Sequence, residues 1–150
     1  MDSAVVVVTA AAGDERDGCL VGFHSQASLR PPQYVVWLST ANRTFRIAQG
    51  ASHLAVHVLR SDQHPLAELF GGETGDEVDK LGQVDWQPGP GGAPELDECP
   101  VRFVGRVVDR HQTDGDHVAF LLEPEVARSA APWPPLRLGA ATDIEAGHPA

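Results

Sequence analysis

Residues 18–46, GCLVGFHSQASLRPPQYVVWLSTANRTFR, hold the reading on which the fold turns. They read as a strand, a polar loop, a Pro-Pro turn, a second strand and the capped start of a helix. Pro31 and Pro32 fix their own φ and bias Arg30 towards an extended conformation, so the loop cannot run on into a helix and the chain turns back into Tyr34–Ser39. The loop Ser25–Ser28 is expected to lie exposed at a strand end. Any of Thr40, Ala41 and Asn42 could cap a helix over Arg43–Gln49 that Gly50 ends. Small and hydroxyl-bearing residues thus gather where two strands and a helix N-terminus converge, which is the composition of a pocket.

Upstream, Ala4–Ala10 is a β-branched run that reads as a buried strand, Gly13–Gly18 as the turn of a hairpin, and Cys19–His24 as the returning strand. Downstream, His53–Leu59 alternates with period two, placing Leu54, Val56 and Val58 on one face. Asp62–Phe70 has an early Pro65 and apolar Leu66, Leu69 and Phe70, the pattern of a short amphipathic helix. The acidic Gly71–Asp76 segment reads as a solvated rim, followed by a turn of helix around Glu77–Leu81. Gln87–Pro94, with its prolines and glycines, is expected to be a loop. Val101–His111 is the longest strand candidate, joined by Thr113–Asp116 to His117–Glu123 as a hairpin. Six or seven short strands with two or three short helices make a mainly β chain, a small barrel-like domain. One domain over 1–150 is expected, with a core at about 3–124 and a Pro-rich tail over 125–150 that carries Trp133, Leu136 and Leu138.

Composition narrows the function classes. The formal net charge is −10 and the 11 Lys and Arg residues are scattered, which argues against nucleic-acid binding, since phosphate neutralisation needs clustered cations. No apolar run approaches the ~18 residues of a membrane span, and the N-terminus lacks the charged region of a signal peptide, so a cytoplasmic protein is expected. Cys19 and Cys99 lack C-x-x-C spacing and read as two reduced structural thiols. His53 and His57 invite a metal, but residues four apart on a strand stand about 13 Å apart, too far for one ion, and no metal site is expected. Nothing resembles a nucleophile elbow or the dinucleotide fingerprint G-x-G-x-x-G. Trp37 and Trp86 read as core aromatics rather than stacking groups.

The order Gly18, Ser28-Leu29-Arg30-Pro31-Pro32, Asn42-Arg43-Thr44 with Ile47, then Val56-His57-Val58-Leu59, Asp79-Lys80-Leu81 and Gly115-Asp116-His117 resembles the flavin reductase family. The resemblance covers roughly residues 3–123 and implies a split β-barrel that binds FMN or FAD and takes NAD(P)H as co-substrate. It implies hydride transfer to the flavin, a homodimer with the flavin near the subunit interface, and a reductase that could supply a separate monooxygenase. The cofactor-binding residues it implies are His24, Ser25, Gln26, Ala27, Ser28, Ser39, Asn42, Arg43, Thr44, His57 and Lys80. Residues 25–28 would serve the ring edge and ribityl chain. Asn42–Thr44 would receive the phosphate at a helix N-terminus, where unpaired N–H groups and the helix dipole favour an anion, with Lys80 or an arginine adding charge. His117 is the implied catalytic residue, beside the nicotinamide. Members of the family usually carry a further stretch before the first strand, which starts here almost at Met1, so a trimmed form or a late start is expected. The chain departs from the family pattern at Gln26, His57, Leu81, Leu122 and Pro124. Those departures raise the alternative of a non-catalytic module holding flavin, a deazaflavin or haem.

Overall fold

A computed structural model describes residues 4–72 and 78–129 of the chain. Trp133, Leu136, Leu138 and most of the acidic segment before Asp79 lie outside the described residues. The first strand, β1 (Val6–Ala12), turns through Gly13 at φ 59 into β2 (Glu15–Val21), with Val6 opposite Val21 and Ala12 opposite Glu15. The turn is therefore only Gly13 and Asp14, and residues 15–18, expected within it, already belong to the ladder. A two-residue hairpin needs positive φ at its tip, which glycine supplies without strain.

The expected loop at residues 25–28 is also a strand. It lies in β3 (His24–Leu29), antiparallel to β4 (Pro32–Ser39), with a bulge between Gln26 and Ser28. Helix α1 (Arg43–Ala48) follows, then β5 (His53–Val58) and α2 (His64–Gly72). After a 3-10 turn at Leu81–Gln83 comes a small ribbon of β6 (Trp86–Pro88) and β7 (Pro94–Leu96), so of residues 87–94, expected to be a loop, only 89–93 stay outside the strands. Pro88 and Pro94 face each other at the ribbon's end, where a missing donor is tolerated. Strands β8 (Arg102–Gln112) and β9 (His117–Arg128) complete the set. β9 continues past Glu123, where the sequence pattern stops. A register shift opposite Val104 and Gly105 pairs them with Val126 and Pro124, leaving Glu125 as the extra residue and placing the proline at a bulge.

Seven strands form one sheet in the order β2-β1-β5-β8-β9-β4-β3. Its two edge strands, β2 and β3, are consecutive in the chain and separated only by Gly22 and Phe23, so the sheet must curl until its edges meet. One bond bridges that seam, His24 Nε2–H donating to the Ala4 carbonyl at 2.6 Å, while Trp37 N–H, donating to the Phe23 carbonyl at 3.0 Å, carries the β3–β4 ladder one rung further.

Inside the curl, Val6, Val8, Val36, Leu38, Leu54, Val56, Phe120 and Leu122 pack with Ile47 and Ala48 of α1. On the outer face, Val5, Val7 and Leu59 meet Leu66, Ala67 and Phe70 of α2, together with Leu96 and Cys99. β1 is thus buried on both faces, which accounts for its unbroken run of valines. Each such side chain contributes about 1.5–3 kcal/mol on full burial. Gly18 is required where α2 crosses β2, since a Cβ there would stand 2.8 Å from the Phe70 ring.

His57 ties the layers together. It is fully buried; its Nδ1–H donates to the Val7 carbonyl at 3.0 Å, and its Nε2 accepts from Leu96 N–H at 2.9 Å, linking β5 to β1 and β7. A carbonyl can only accept and an N–H only donate, so the ring is held neutral. Burial pushes its pKa down from 6.5 to about 4. The unfolded chain takes up a proton on this residue below its ordinary range while the native protein does not. Its contribution is therefore fully present above pH 6.5 and lost as pH falls towards about 4. At about 1.4 kcal/mol per pKa unit the loss is about 3 kcal/mol. Urea unfolding of the wild type should show this slope over that range, and His57→Gln should begin less stable and lack it.

Candidate functional site

The end of β4, the start of α1 and the start of β9 meet at one rim of the barrel. Ser39 lies opposite His117 in the β4–β9 ladder, and both the backbone N–H and the hydroxyl of Thr40 donate to the Asp116 carbonyl, at 2.9 and 3.3 Å. The Ser39 hydroxyl accepts from Ala41 N–H at 3.3 Å, and its carbonyl accepts from Asn42 N–H at 3.1 Å. This tight turn delivers Asn42 to the N-cap of α1, where its side chain accepts from Thr44 N–H at 2.9 Å.

His117 faces this rim. Its Nδ1–H donates to the Asp116 carboxylate at 2.8 Å, which holds that carboxyl below its ordinary range. Nε2 makes no hydrogen bond among the described residues, and in the neutral ring it is an acceptor. The Phe23 ring lies 5.3 Å from the imidazole, tilted by 59°, and is 57% exposed. An exposed phenylalanine beside a half-buried histidine offers a flat apolar surface next to a hydrogen-bonding group. The sequence pattern does not single out Phe23, because it falls inside a run that reads as a strand; its position directly after Gly22 is the available signal.

From Phe23 the edge strand leads away. Ser25, Gln26 and Ala27 have exposed side chains, Ser28 is half-buried, and among the described residues no strand pairs with the outer edge of β3. Its backbone groups there are available to the polar edge of a planar ligand. His24 is committed within the protein: Nε2 to Ala4, and Nδ1 as acceptor from the Tyr34 hydroxyl, whose ring also stacks on it and meets Phe103 edge-on.

Several implied ligands are placed elsewhere. His57 is sealed between β1 and β7. Lys80 is 2% exposed and its ammonium donates to the carbonyls of Gly18 and Phe70, at 3.1 and 3.2 Å, so it closes the join between α2 and β2 rather than facing the rim. Thr44 is fully buried beside the Cys19 thiol, and the Asn42 side chain is spent on its cap. Arg43 remains partly exposed; it reaches Glu15 and the buried Asp17 at 3.5 Å each and donates to the Arg16 carbonyl at 3.1 Å. Burial pushes the Asp17 carboxyl up, against Gly18 N–H, Lys80 and Arg43, which hold it down. Cys19 and Cys99 are free, and burial pushes both thiols up to about 12. Trp37 and Trp86 are half-buried, with the Arg16 guanidinium over the Trp86 ring at 5.1 Å. Among the described residues no three His, Cys, Asp or Glu side chains gather as a metal site, and no helix is long and apolar enough to cross a membrane.

The rim can bind and orient a flat, polar-edged molecule; it carries no nucleophile paired with a base. A curled, mainly β sheet whose edges meet at a short link, with an open polar edge strand beside a helix start, is a split β-barrel. The chain belongs to the flavin reductase like domain family, whose model matches residues 1–132. It is 27% identical over 133 residues to the FMN reductase (NADH) RutF of Escherichia coli O45:K1 strain S88, covering 89% of this chain and 80% of the relative. It superposes with a TM-score of 0.77 on the Streptomyces globisporus C-1027 NADH:FAD oxidoreductase SgcE6, at 27% identity, covering 86% of this chain and 77% of that one. A second structure of that protein is in complex with NAD and FAD fragments. A Sinorhizobium meliloti 1021 protein shares the fold with a TM-score of 0.81 at 24% identity; 91% of this chain matches 46% of it.

The burial of Lys80 sets an expected outcome. Lys80→Met leaves two carbonyls without their cation, at about 1–3 kcal/mol for each unsatisfied group. Its urea midpoint should fall, and titrations of FMN and riboflavin should shift together. A loss confined to FMN would return Lys80 to the phosphate.

Proposed function

We propose that this chain is an NAD(P)H-dependent flavin reductase, using FMN or FAD and working in the cytoplasm. The observation that carries the reading is the exposed Phe23–His117 pair at the head of the unpaired edge of β3. The residues fit a flavin: an apolar ring surface at Phe23, free backbone groups and the polar side chains of residues 25–28 along β3, and the Arg43 cation by the Ser39–Asn42 turn. The activities named for the FMN reductase and NADH:FAD oxidoreductase relatives support it. When bound, the flavin supplies the redox chemistry, accepting a hydride from the nicotinamide.

The protein's part is positioning. Asp116 fixes the His117 proton on Nδ1, so Nε2 faces the rim as an acceptor for the amide N–H of a nicotinamide. Phe23 packs against the imidazole and limits its rotation. Arg43, loosely held at 3.5 Å by two carboxylates, is the cation best placed to turn towards a phosphate. A homodimer is part of the same proposal: Phe23 and Leu29 are 57% and 76% exposed at the edge strand β3, which a second copy would cover. The reduced flavin would pass to a separate monooxygenase.

Purified protein with FMN or FAD should consume NADH or NADPH with no partner present, followed by loss of nicotinamide absorbance. A flat trace with both flavins and both nicotinamides overturns the proposal. His117→Ala should leave flavin affinity within about twofold and slow flavin reduction in stopped flow about tenfold or more, since misplacing a hydride donor is worth that much. Unchanged reduction would remove His117 from the chemistry.

A further inference from the structure

Away from this rim, the chain joins a hydroxyl, an imidazole and a carboxylate that no sequence motif announces. Ser52 Oγ lies 2.8 Å from His53 Nδ1, and His53 Nε2 lies 2.7 Å from Glu125 Oε1. A carboxylate only accepts, so His53 carries its proton on Nε2, and in the neutral ring the Nδ1 lone pair faces the Ser52 O–H. That is the order nucleophile, base, orienting carboxylate. We propose that Ser52, His53 and Glu125 form a second reactive site, in which Ser52 accepts acyl groups from small activated esters.

Each member is placed by a specific feature of the fold. Glu125 is the extra residue of the β9 bulge, and bulges re-aim side chains. Arg106, directly opposite His53 in the β5–β8 ladder, stands 3.7 Å from Glu125 and 3.7 Å from Glu123, keeping a positive charge beside the group. The 3-10 turn Pro90–Gly92 lies against the pair: Gly91 has φ 66, and a Cβ there would stand 2.3 Å from His53 Nδ1 and 2.7 Å from Ser52 Oγ. Only glycine allows that approach, so the turn walls one side of the hydroxyl while Ser52 stays exposed on the other. His117 opens β9 and Glu125 lies about 26 Å of strand further on, so this group is separate from the flavin rim. No sequence motif marks the group, because Glu125 is 72 residues from His53 and only strand pairing unites them.

The step balances without a co-reactant beyond the ester and water. Ser52 Oγ bonds to the ester carbonyl carbon as its proton passes to His53 Nδ1. The tetrahedral adduct then breaks its bond to the leaving oxygen, which departs as the alcohol with that proton, or as a phenolate, in which case His53 gives the proton to solvent and returns to the neutral ring. Water, deprotonated by His53, then attacks the acyl-serine and releases a carboxylic acid and free Ser52. No oxidation or reduction occurs.

The test uses the full chain with p-nitrophenyl acetate. The expected result is release of nitrophenolate above buffer, one acetyl group on the intact protein by mass, and a peptide map that places it on Ser52. Ser52→Ala should lose the adduct while keeping the wild-type thermal midpoint and NADH–flavin activity. His53→Gln should slow acylation about a hundredfold, within the range for loss of a general base. Glu125→Gln should slow it by a smaller factor, so the proposal stands even if His53→Gln fails to fold. Absence of an adduct at Ser52, an equal adduct in Ser52→Ala, or full rates in folded His53→Gln and Glu125→Gln would each overturn it.

Discussion

Two residues set the shape of this protein. Gly22 and Phe23 are all that separates β2 from β3, and those strands are the outermost members of a seven-stranded sheet. An open twisted sheet of that width would hold its edges far apart, with strands spaced about 4.8 Å. So short a link makes that impossible, and the sheet can satisfy its ladders only by rolling up. Once it rolls, α1 fills the curl, β1 is buried on both sides, and the end of β4, the cap of α1 and the start of β9 are brought to one rim. Phe23 is then left exposed because it forms the link itself and has no inward position to occupy.

The polar groups follow from the same geometry. A rolled sheet with a second core under α2 needs its layers joined where ladder bonds cannot reach, and His57 and Lys80 do this with side chains. His57 spans from Val7 to Leu96, and Lys80 spans from Gly18 to Phe70. Both are buried groups whose bonding is satisfied by backbone, so they specify packing more than they offer chemistry. Glu95, with Arg102 at 2.8 Å and Arg128 at 3.1 Å, does the same for the ribbon, and those two guanidiniums hold its carboxyl below the ordinary range against the opposing effect of burial.

Much of this was legible in the chain. β1, β4, β5 and the β8–β9 hairpin show their apolar patterns directly, and Asn42 was among the cap candidates. The failures have physical causes. Residues 25–28 look like a loop because an edge strand with solvent around its side chains needs no alternation of polar and apolar residues. Residues 87–94 look irregular because prolines and glycines deny a regular element on propensity, while a three-residue ribbon anchored through Leu96 to His57 does not depend on propensity. Lys80 and His57 resemble ligands because charge and imidazole are visible in a sequence, whereas the carbonyls that consume them are not. The order of the motifs was a sound guide to the family, yet it could not say which of their side chains turn inward.

The seam gives the barrel the character of a belt whose clasp is made of a few side-chain and turn contacts rather than of a full ladder. Such a clasp yields before the webbing does, so slackening should begin at Phe23 and His24 while the β8–β9 hairpin stays taut. The ring exposed at the clasp is also the surface on which a planar guest would rest. With a flavin seated there as proposed, binding would fasten the belt, and occupancy and the rigidity of the whole hoop would become one quantity, linked by mass action.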